Sequence, residues 1–163
     1  MKTERIFKVP QPNNMKDVIY RAAEKFADNI AFVIKHQNEN KEVTYENITY
    51  KKFLEDINKL GTAFYKLGLK GKRVAIIGKN RYEWALAHLA NLLGGIVSVP
   101  LDKDLQYDEL ERSLIRSKAD AIIFDEKLEE SIRGIRNQEK TSIKHFISMT
   151  EVKGYDSVYD LME

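Results

Sequence analysis

The chain contains no cysteine among its 163 residues. This absence excludes a disulfide framework, a thiolate metal site and a catalytic thiol, and it favours a reducing compartment. Proline occurs only three times, and no proline-rich linker, internal repeat or low-complexity tract divides the sequence. We therefore predict a single domain over residues 1–163, because a chain of this length can bury a continuous core without disulfides or structural metals.

Long apolar runs are also lacking. None approaches the ~20 residues of a membrane span, and the first seven residues, MKTERIF, show no apolar core of an export signal. We therefore expect no transmembrane segment and a cytoplasmic location. The 27 basic residues are interspersed with 25 acidic ones, which leaves a formal net charge of +2. Nucleic acid is for that reason not an expected partner.

The sequence lacks the common signatures of a reaction centre. It has no G-x-G-x-x-G turn, no P-loop and no G-x-S-x-G elbow. Its histidines, at His36, His88 and His145, do not stand at metal-ligand spacing. The acidic group that begins at Asp125 is predicted to be a solvated helix start rather than an acid–base pair. Taken alone, the residues predict a scaffold with no secure catalytic, cofactor-binding or metal site.

Amphipathic helices are predicted where apolar residues recur every three or four positions. The first covers residues 15–26, with Asn14 as its N-cap. The longest covers residues 50–67 and ends at Gly68, a suitable C-terminal cap. Asn80 is expected to cap the third. The predicted helices from there onward cover residues 84–93, 105–117 and 126–136, and one further helical turn is expected within residues 157–161.

Short runs of β-branched and aromatic residues alternate with these helices. Residues 30–35, followed by the alternating Val43 and Tyr45, predict an N-terminal edge hairpin. Four later runs are largely apolar, as strands buried on both faces of a parallel sheet are; they cover residues 73–78, 96–101, 121–124 and 145–149. With right-handed crossovers, the series predicts an α/β fold with a doubly wound, mostly parallel sheet and helices on both faces.

Four motifs in a fixed order make the chain resemble a known family. They are Ile48-Thr49-Tyr50, Leu67-Gly68-Leu69-Lys70-Gly71-Lys72-Arg73-Val74, Asn80-Arg81-Tyr82-Glu83-Trp84, and Gly94-Gly95-Ile96-Val97-Ser98-Val99-Pro100-Leu101-Asp102. Together they resemble the opening of an adenylate-forming enzyme of the AMP-binding superfamily. The Asn-Arg-x-Glu-Trp form is most similar to the long-chain acyl-CoA synthetase branch. The resemblance extends from about residue 15 to about residue 125.

The resemblance implies a two-step activation of a small-molecule carboxylate. The carboxylate attacks the α-phosphorus of Mg-ATP to give an acyl-adenylate and pyrophosphate, and the thiol of coenzyme A then displaces AMP. ATP, Mg²⁺ and coenzyme A are thus implied for the complete enzyme. The family's phosphate loop, ribose-binding aspartate and C-terminal lysine have no counterpart here. The resemblance therefore implies an N-terminal fragment that is inactive alone, binds none of these cofactors tightly, and packs against the rest of its enzyme through an exposed apolar face.

Ligands of open α/β sheets gather at the carboxyl ends of the strands. In related synthetases the nucleotide part of coenzyme A approaches loops in this position, and the resemblance therefore makes Lys103 and Lys127 the candidate coenzyme A contacts. Two alternatives stay open: a non-catalytic α/β interaction module with a polar surface on every face, and the start of an amino-acid-adenylating domain. A receiver domain fits less well, because Ile77 is not followed by paired acidic residues.

Overall fold

The computed structural model describes residues 10–38 and 40–163. Its helices are α1 (Met15–Lys25), α2 (Tyr50–Lys66), α3 (Tyr82–Leu93), α4 (Tyr107–Ser117) and α5 (Glu129–Gln138). Its strands are β1 (Ile30–Gln37), β2 (Val43–Thr49), β3 (Arg73–Ile77), β4 (Val97–Leu101), β5 (Ala121–Phe124), β6 (His145–Ser148) and β7 (Asp156–Ser157). Two short 3-10 turns cover Glu126–Leu128 and Asp160–Met162. Within this part of the chain, no helix combines the length and apolarity needed to cross a membrane.

Five strands form one parallel sheet in the order β4-β3-β5-β6-β7. Numbered from β3, this order is 2-1-3-4-5, one of the two common doubly wound arrangements. The chain leaves β3 for β4 on one side and comes back to β5 on the other. A topological switch point therefore lies between β3 and β5, and the predicted doubly wound parallel sheet is confirmed.

Helices cover both faces of the sheet because successive strand residues point in opposite directions. Val74 and Ile76 of β3 belong to a core shared with α2 and α3, whereas Ala75 and Ile77 belong to a core shared with α4 and α5. All four side chains are fully buried. A central strand of a parallel sheet requires this continuous apolar sequence, which explains the run Val-Ala-Ile-Ile.

β4 is an edge strand, so the prediction that residues 96–101 form a strand buried on both faces is wrong. The Val97 N–H donates to the Lys72 carbonyl oxygen at 2.9 Å, so the alternation of backbone bonds turns Pro100 away from β3. A proline has no N–H to donate and is tolerated in a sheet at an edge of this kind. The sheet accordingly ends at β4 on this side.

The hairpin of β1 and β2 is a separate antiparallel sheet rather than an extension of the five-stranded one. The Phe32 ring contacts the rings of Phe53 and Tyr82 edge-on, at centroid distances of 4.8 and 5.3 Å. These contacts hold the hairpin against α2 and α3. The predicted hairpin is therefore confirmed. On its opposite face two apolar side chains are exposed to solvent, Val33 at 59% and Tyr45 at 66%.

Local predictions at helix ends are partly confirmed. The Asn14 side chain accepts a hydrogen bond from the Asp17 N–H and begins α1, and Gly68, with a φ of +74°, follows the end of α2. The predicted Asn80 cap is wrong, because Arg81 occupies the N-cap of α3 and its side chain makes no capping bond. Its guanidinium is engaged by carboxylates instead.

The chain after β6 also differs from expectation. Asp156 and Ser157 form β7, which pairs with β6, and the helical turn expected at residues 157–161 is displaced to Asp160–Met162. The Asp160 carboxylate accepts hydrogen bonds from both the N–H and the Oγ of Ser157, each at 2.7 Å. This contact lies just before the turn, which begins three residues later than the apolar pattern indicates.

Two glycines provide a matched test of the packing. A Cβ on Gly78 would lie 2.8 Å from the Asp125 Cβ and 3.1 Å from the Met149 Cε, whereas one on Gly61 meets only the Ala90 carbonyl oxygen, at 3.9 Å. We expect Gly78→Ala to lower the free energy of unfolding by about 1–3 kcal/mol through overpacking. Gly61→Ala, inside α2, should raise it by about 0.5–1 kcal/mol through helix propensity. Urea denaturation of both variants measures the difference, and effects of the same sign would contradict this packing.

Candidate functional site

Three loops meet at the carboxyl edge of the sheet, beside the switch point. The loop after β3 carries residues 78–81, the loop after β5 carries residues 125–127, and the loop after β6 carries Thr150. Because the strands are parallel, their carboxyl ends lie side by side, and loops far apart in the sequence come together there. Polar side chains from all three loops form the candidate site.

Asp125 joins the first two of these loops. Its Oδ2 accepts a hydrogen bond from the Lys79 N–H at 3.3 Å, and its Oδ1 accepts one from the Lys127 N–H at 3.1 Å. The side chain fits beside β3 because Gly78 has no Cβ. Asp125 is only 3% exposed, so the prediction that it belongs to a solvated helix start is wrong. The close approach of two adjacent strands buries it.

Arg81 forms a second junction. Its Nε donates to Glu83 Oε2 at 2.6 Å, and its Nη1 donates to both Glu126 carboxylate oxygens, at 2.9 and 3.0 Å. The Thr150 hydroxyl donates to Glu126 at 2.9 Å, and the Tyr159 hydroxyl donates to Glu83 at 2.6 Å. These five side chains, which we call the carboxyl-edge network, connect the N-terminus of α3 with the loops after β5 and β6 and with the C-terminal turn.

Mutual contacts determine the protonation states in this network. Burial opposes the charge on Arg81, but its bonds to the two carboxylates outweigh burial and raise its pKa. Burial likewise opposes ionisation of Glu126, but hydrogen bonds and the Arg81 charge outweigh it, and the pKa of Glu126 lies below its ordinary value. Burial and the bond to Glu83 raise the pKa of Tyr159. Tyr159 therefore keeps its proton at neutral pH and acts as a donor.

A second buried contact supports the start of α3 from the side of α2. The Tyr82 hydroxyl donates to Asp56 Oδ2 at 2.7 Å, and Lys52 forms an ion pair with the other oxygen of that carboxylate. Burial, followed by the bond to Asp56, raises the pKa of Tyr82. Asp56 is 4% exposed, and these two partners satisfy a carboxylate that would otherwise be unpaired in the core.

A cleft of about 900 Å³ lies next to the network, between β1 and the beginning of α3. The aromatic rings of Phe32 and Trp84 line it together with the cations Lys35 and Arg81. Its size falls within the range of small-molecule sites, and its walls combine apolar surface with a few polar groups, as such sites do. The cleft is therefore large enough for a small organic ligand, and the Arg81 charge on its wall is already paired with Glu83 and Glu126.

The structure places both candidate lysines at the carboxyl edge. Lys103 follows β4 and Lys127 follows β5, so the two loops flank the end of β3, and both side chains are exposed. Lys103 forms an ion pair with Asp104, which raises its pKa. Lys127 is fixed through its main-chain N–H, which Asp125 accepts. Neither lysine side chain belongs to the carboxyl-edge network.

A metal site is not formed by the described residues, which contain no group of three or more histidine, aspartate or glutamate side chains suited to a cation. The three histidines lie apart: His36 contacts Glu46 on the hairpin, His88 contacts Ser98 between α3 and β4, and His145 begins β6.

The carboxyl-edge network is not predictable from local sequence spacing. Arg81 and Glu126 are 45 positions apart, and Glu83 and Tyr159 are 76 positions apart, so no local spacing connects them. The available signal was the position of Arg81 and Glu126, each a few residues beyond a buried apolar strand.

Comparison with known proteins gives a family match. A family model described as "AMP-binding enzyme" matches residues 19–160. The chain belongs to the family of AMP-binding enzymes. The predicted resemblance to this superfamily is thereby confirmed.

Individual relatives are distant. The chain is 31% identical over 103 residues to the medium-chain acyl-CoA ligase ACSF2, mitochondrial, of Mus musculus, covering 63% of this chain and 16% of that protein. It is 28% identical over 131 residues to fatty acyl-CoA synthetase A of Dictyostelium discoideum, covering 80% and 19%. The solved long-chain-fatty-acid-CoA ligase (FadD1) of Archaeoglobus fulgidus has the same fold, with a TM-score of 0.76 at 23% identity, covering 98% of this chain and 32% of that one. The chain thus spans less than a fifth of the length of these curated relatives.

The ion pair between Arg81 and Glu126 predicts a pH-dependent stability. Because the folded-state pKa of Glu126 lies below the ordinary value of 4.5, its ionised form stabilises the fold above that pH. The stabilisation is lost as pH falls through the lowered pKa. We expect Glu126→Gln to reduce the free energy of unfolding at neutral pH, and the difference from the unaltered chain to shrink below pH 4.5.

Chemical denaturation at neutral and acidic pH measures this effect. Glu129→Gln is the matched control, because it removes an ion pair with Arg133 at 3.6 Å in the first turn of α5, and exposed pairs of this kind contribute little. A Glu126→Gln effect that is independent of pH would contradict the prediction.

Proposed function

We propose that this chain forms the N-terminal wall of the active site of an AMP-forming acid–thiol ligase, an acyl-CoA synthetase. The observation that supports this most directly is a site at the switch point of a parallel sheet, in a chain that the AMP-binding family matches over residues 19–160. Relatives named as acyl-CoA ligases or synthetases support acyl-CoA as the product rather than an aminoacyl-adenylate.

In the proposed reaction, a carboxylate attacks the α-phosphorus of Mg-ATP and pyrophosphate leaves. The sulfur of coenzyme A then attacks the acyl-adenylate carbonyl carbon, and AMP leaves. We propose a fatty acid or a similar small carboxylic acid as the substrate. The long-chain preference and the cytoplasmic location stay predictions, because relatives carry the designations medium-chain and mitochondrial.

The described residues do not fit ATP or Mg²⁺ on their own. They include no cation-binding cluster, and the sequence contains no glycine-rich phosphate loop. We propose that further sequence supplies both contacts, as the greater length of the relatives supports. In this proposal, the role of this chain is to hold the loops after β3, β4 and β5 in place at the edge of the active site.

We further propose that the rest of the enzyme packs against an exposed apolar surface of this segment. Val33, Tyr45 and Val97 are 59%, 66% and 52% exposed. Val33 and Tyr45 lie on one face of the hairpin, opposite the Phe32 side, and this face is the candidate for the contact. A stand-alone interaction module was expected to be polar on every face, and the hairpin face with Val33 and Tyr45 departs from that expectation.

The first prediction of this proposal concerns the isolated chain. We expect the purified 163-residue polypeptide to release no pyrophosphate from Mg-ATP in response to medium-chain or long-chain fatty acids. The reason is that the phosphate loop and the ribose contact are lacking. A coupled pyrophosphate assay measures this, with an intact acyl-CoA synthetase as the positive control. Carboxylate-dependent release by the polypeptide alone would refute the fragment proposal.

The second prediction concerns Lys103 and Lys127 as coenzyme A contacts. In the full-length ligase, the double variant Lys103→Glu/Lys127→Glu should raise the KM for coenzyme A by about tenfold, equivalent to ~1.4 kcal/mol, because it places two negative charges beside an anionic substrate. Lys70→Glu is the control, since Lys70 is exposed on the loop before β3, at the opposite edge of the sheet. If the double variant leaves the KM for coenzyme A unchanged, as Lys70→Glu is expected to, the two lysines are not coenzyme A contacts.

A further inference from the structure

The carboxyl-edge network has a consequence for one step of the reaction. We infer that Arg81 is a positioning residue for thiol transfer: by binding Glu126 it fixes the loop that carries Lys127 against the beginning of α3. This inference rests on the proposed function and assigns a role to a residue outside the candidate coenzyme A contacts.

The loop after β5 is held at two adjacent residues. Asp125 accepts hydrogen bonds from the Lys79 and Lys127 N–H groups, at 3.3 and 3.1 Å, which fixes the main chain. Arg81 binds both oxygens of Glu126, at 2.9 and 3.0 Å, which fixes the first residue of the 3-10 turn. Lys127 follows directly, so its direction depends on both attachments.

α3 is a rigid support for this contact. Leu86, Ala87 and Ala90 of the helix are fully buried, and Glu83 in its first turn is 6% exposed. The loop after β5 is less buried, since the Glu126 side chain is 35% exposed. The Arg81 guanidinium therefore holds the more exposed turn in a fixed position relative to the buried helix.

Arginine is required for this geometry. Its Nε and Nη1 donate to two different carboxylates at once, and the planar guanidinium holds these donors at fixed angles. A lysine carries a single charged nitrogen on a flexible chain, so it cannot hold Glu83 and Glu126 in the same relative positions. Loss of the Arg81–Glu126 contact leaves the Glu126 side chain held by the Thr150 hydroxyl alone, while Asp125 continues to hold the main chain.

The expected effect is confined to one half-reaction. Adenylation requires the carboxylate and Mg-ATP only, whereas thiol transfer requires coenzyme A beside Lys127. A disturbed network should therefore weaken the use of coenzyme A and leave adenylation intact. A residue that merely stabilised the fold would affect both half-reactions together.

Glu126→Gln is the main test variant. It removes the ion pair but leaves the Arg81–Glu83 contact and an oxygen that can accept from Thr150, so the chain is expected to fold. Truncation of Arg81 is less suitable, because it would leave the buried Glu83 without its cationic partner. Arg81→Lys is the second variant, since it retains the positive charge but loses the paired Nε and Nη1 donors of the guanidinium.

The experiment uses the full-length ligase and measures two quantities. The first is carboxylate-dependent exchange of labelled pyrophosphate into ATP without coenzyme A, and the second is the KM for coenzyme A in the complete reaction. For both variants we expect exchange within about twofold of the unaltered enzyme, and a KM raised by about three- to tenfold. Glu129→Gln, which removes a surface ion pair of α5, should change neither.

Two results would overturn the inference: an unchanged KM for coenzyme A, or an equal loss of exchange and of the complete reaction. Absence of carboxylate-dependent exchange in the unaltered enzyme would instead refute the proposed function, and the inference with it. The exchange assay on the unaltered enzyme thus separates failure of the function from failure of the positioning role.

Discussion

The burial of β3 on all sides is the constraint on which the rest of the structure depends. Its side chains from Val74 to Ile77 are fully buried, helices pack on both faces, and β4 and β5 pair with its two edges. Because β4 and β5 pair with opposite edges of β3, the chain must leave β3 towards one side of the sheet and cross to the other side before β5. The switch point beside Ile77 is a direct result.

Polar groups collect at the switch point because it is where the apolar strands end. Beyond Ile77 and Phe124 the backbone leaves the sheet, and the side chains that follow no longer have to be apolar. The missing Cβ of Gly78 lets Asp125 approach β3, and Arg81 balances two carboxylates within hydrogen-bond distance. Buried or half-buried charges persist here because each has a partner.

Periodicity predicted the helices, the hairpin and four of the five strands of the parallel sheet, because apolar spacing records which side chains face the core. β7 was not predicted, since two polar residues, Asp156 and Ser157, give no apolar pattern. The predicted Asn80 cap of α3 and the predicted solvent exposure of Asp125 were also wrong. Both depend on contacts between distant loops, such as Arg81 with Glu126, and a single sequence contains no periodic signal for those.

The N-terminus of α3 follows the first strand of the parallel sheet, the position at which many such sheets bind phosphate. Here Glu83 already places a carboxylate in the first helical turn, where the helix dipole favours negative charge. Arg81 and Tyr159 hold that carboxylate in place. A phosphate at this helix end would lie close to the buried Glu83 carboxylate, and the two negative charges would repel each other. Glu83 therefore disfavours a nucleotide phosphate at this helix end, in keeping with the proposal that the segment forms one side of the active site rather than its ATP-binding part.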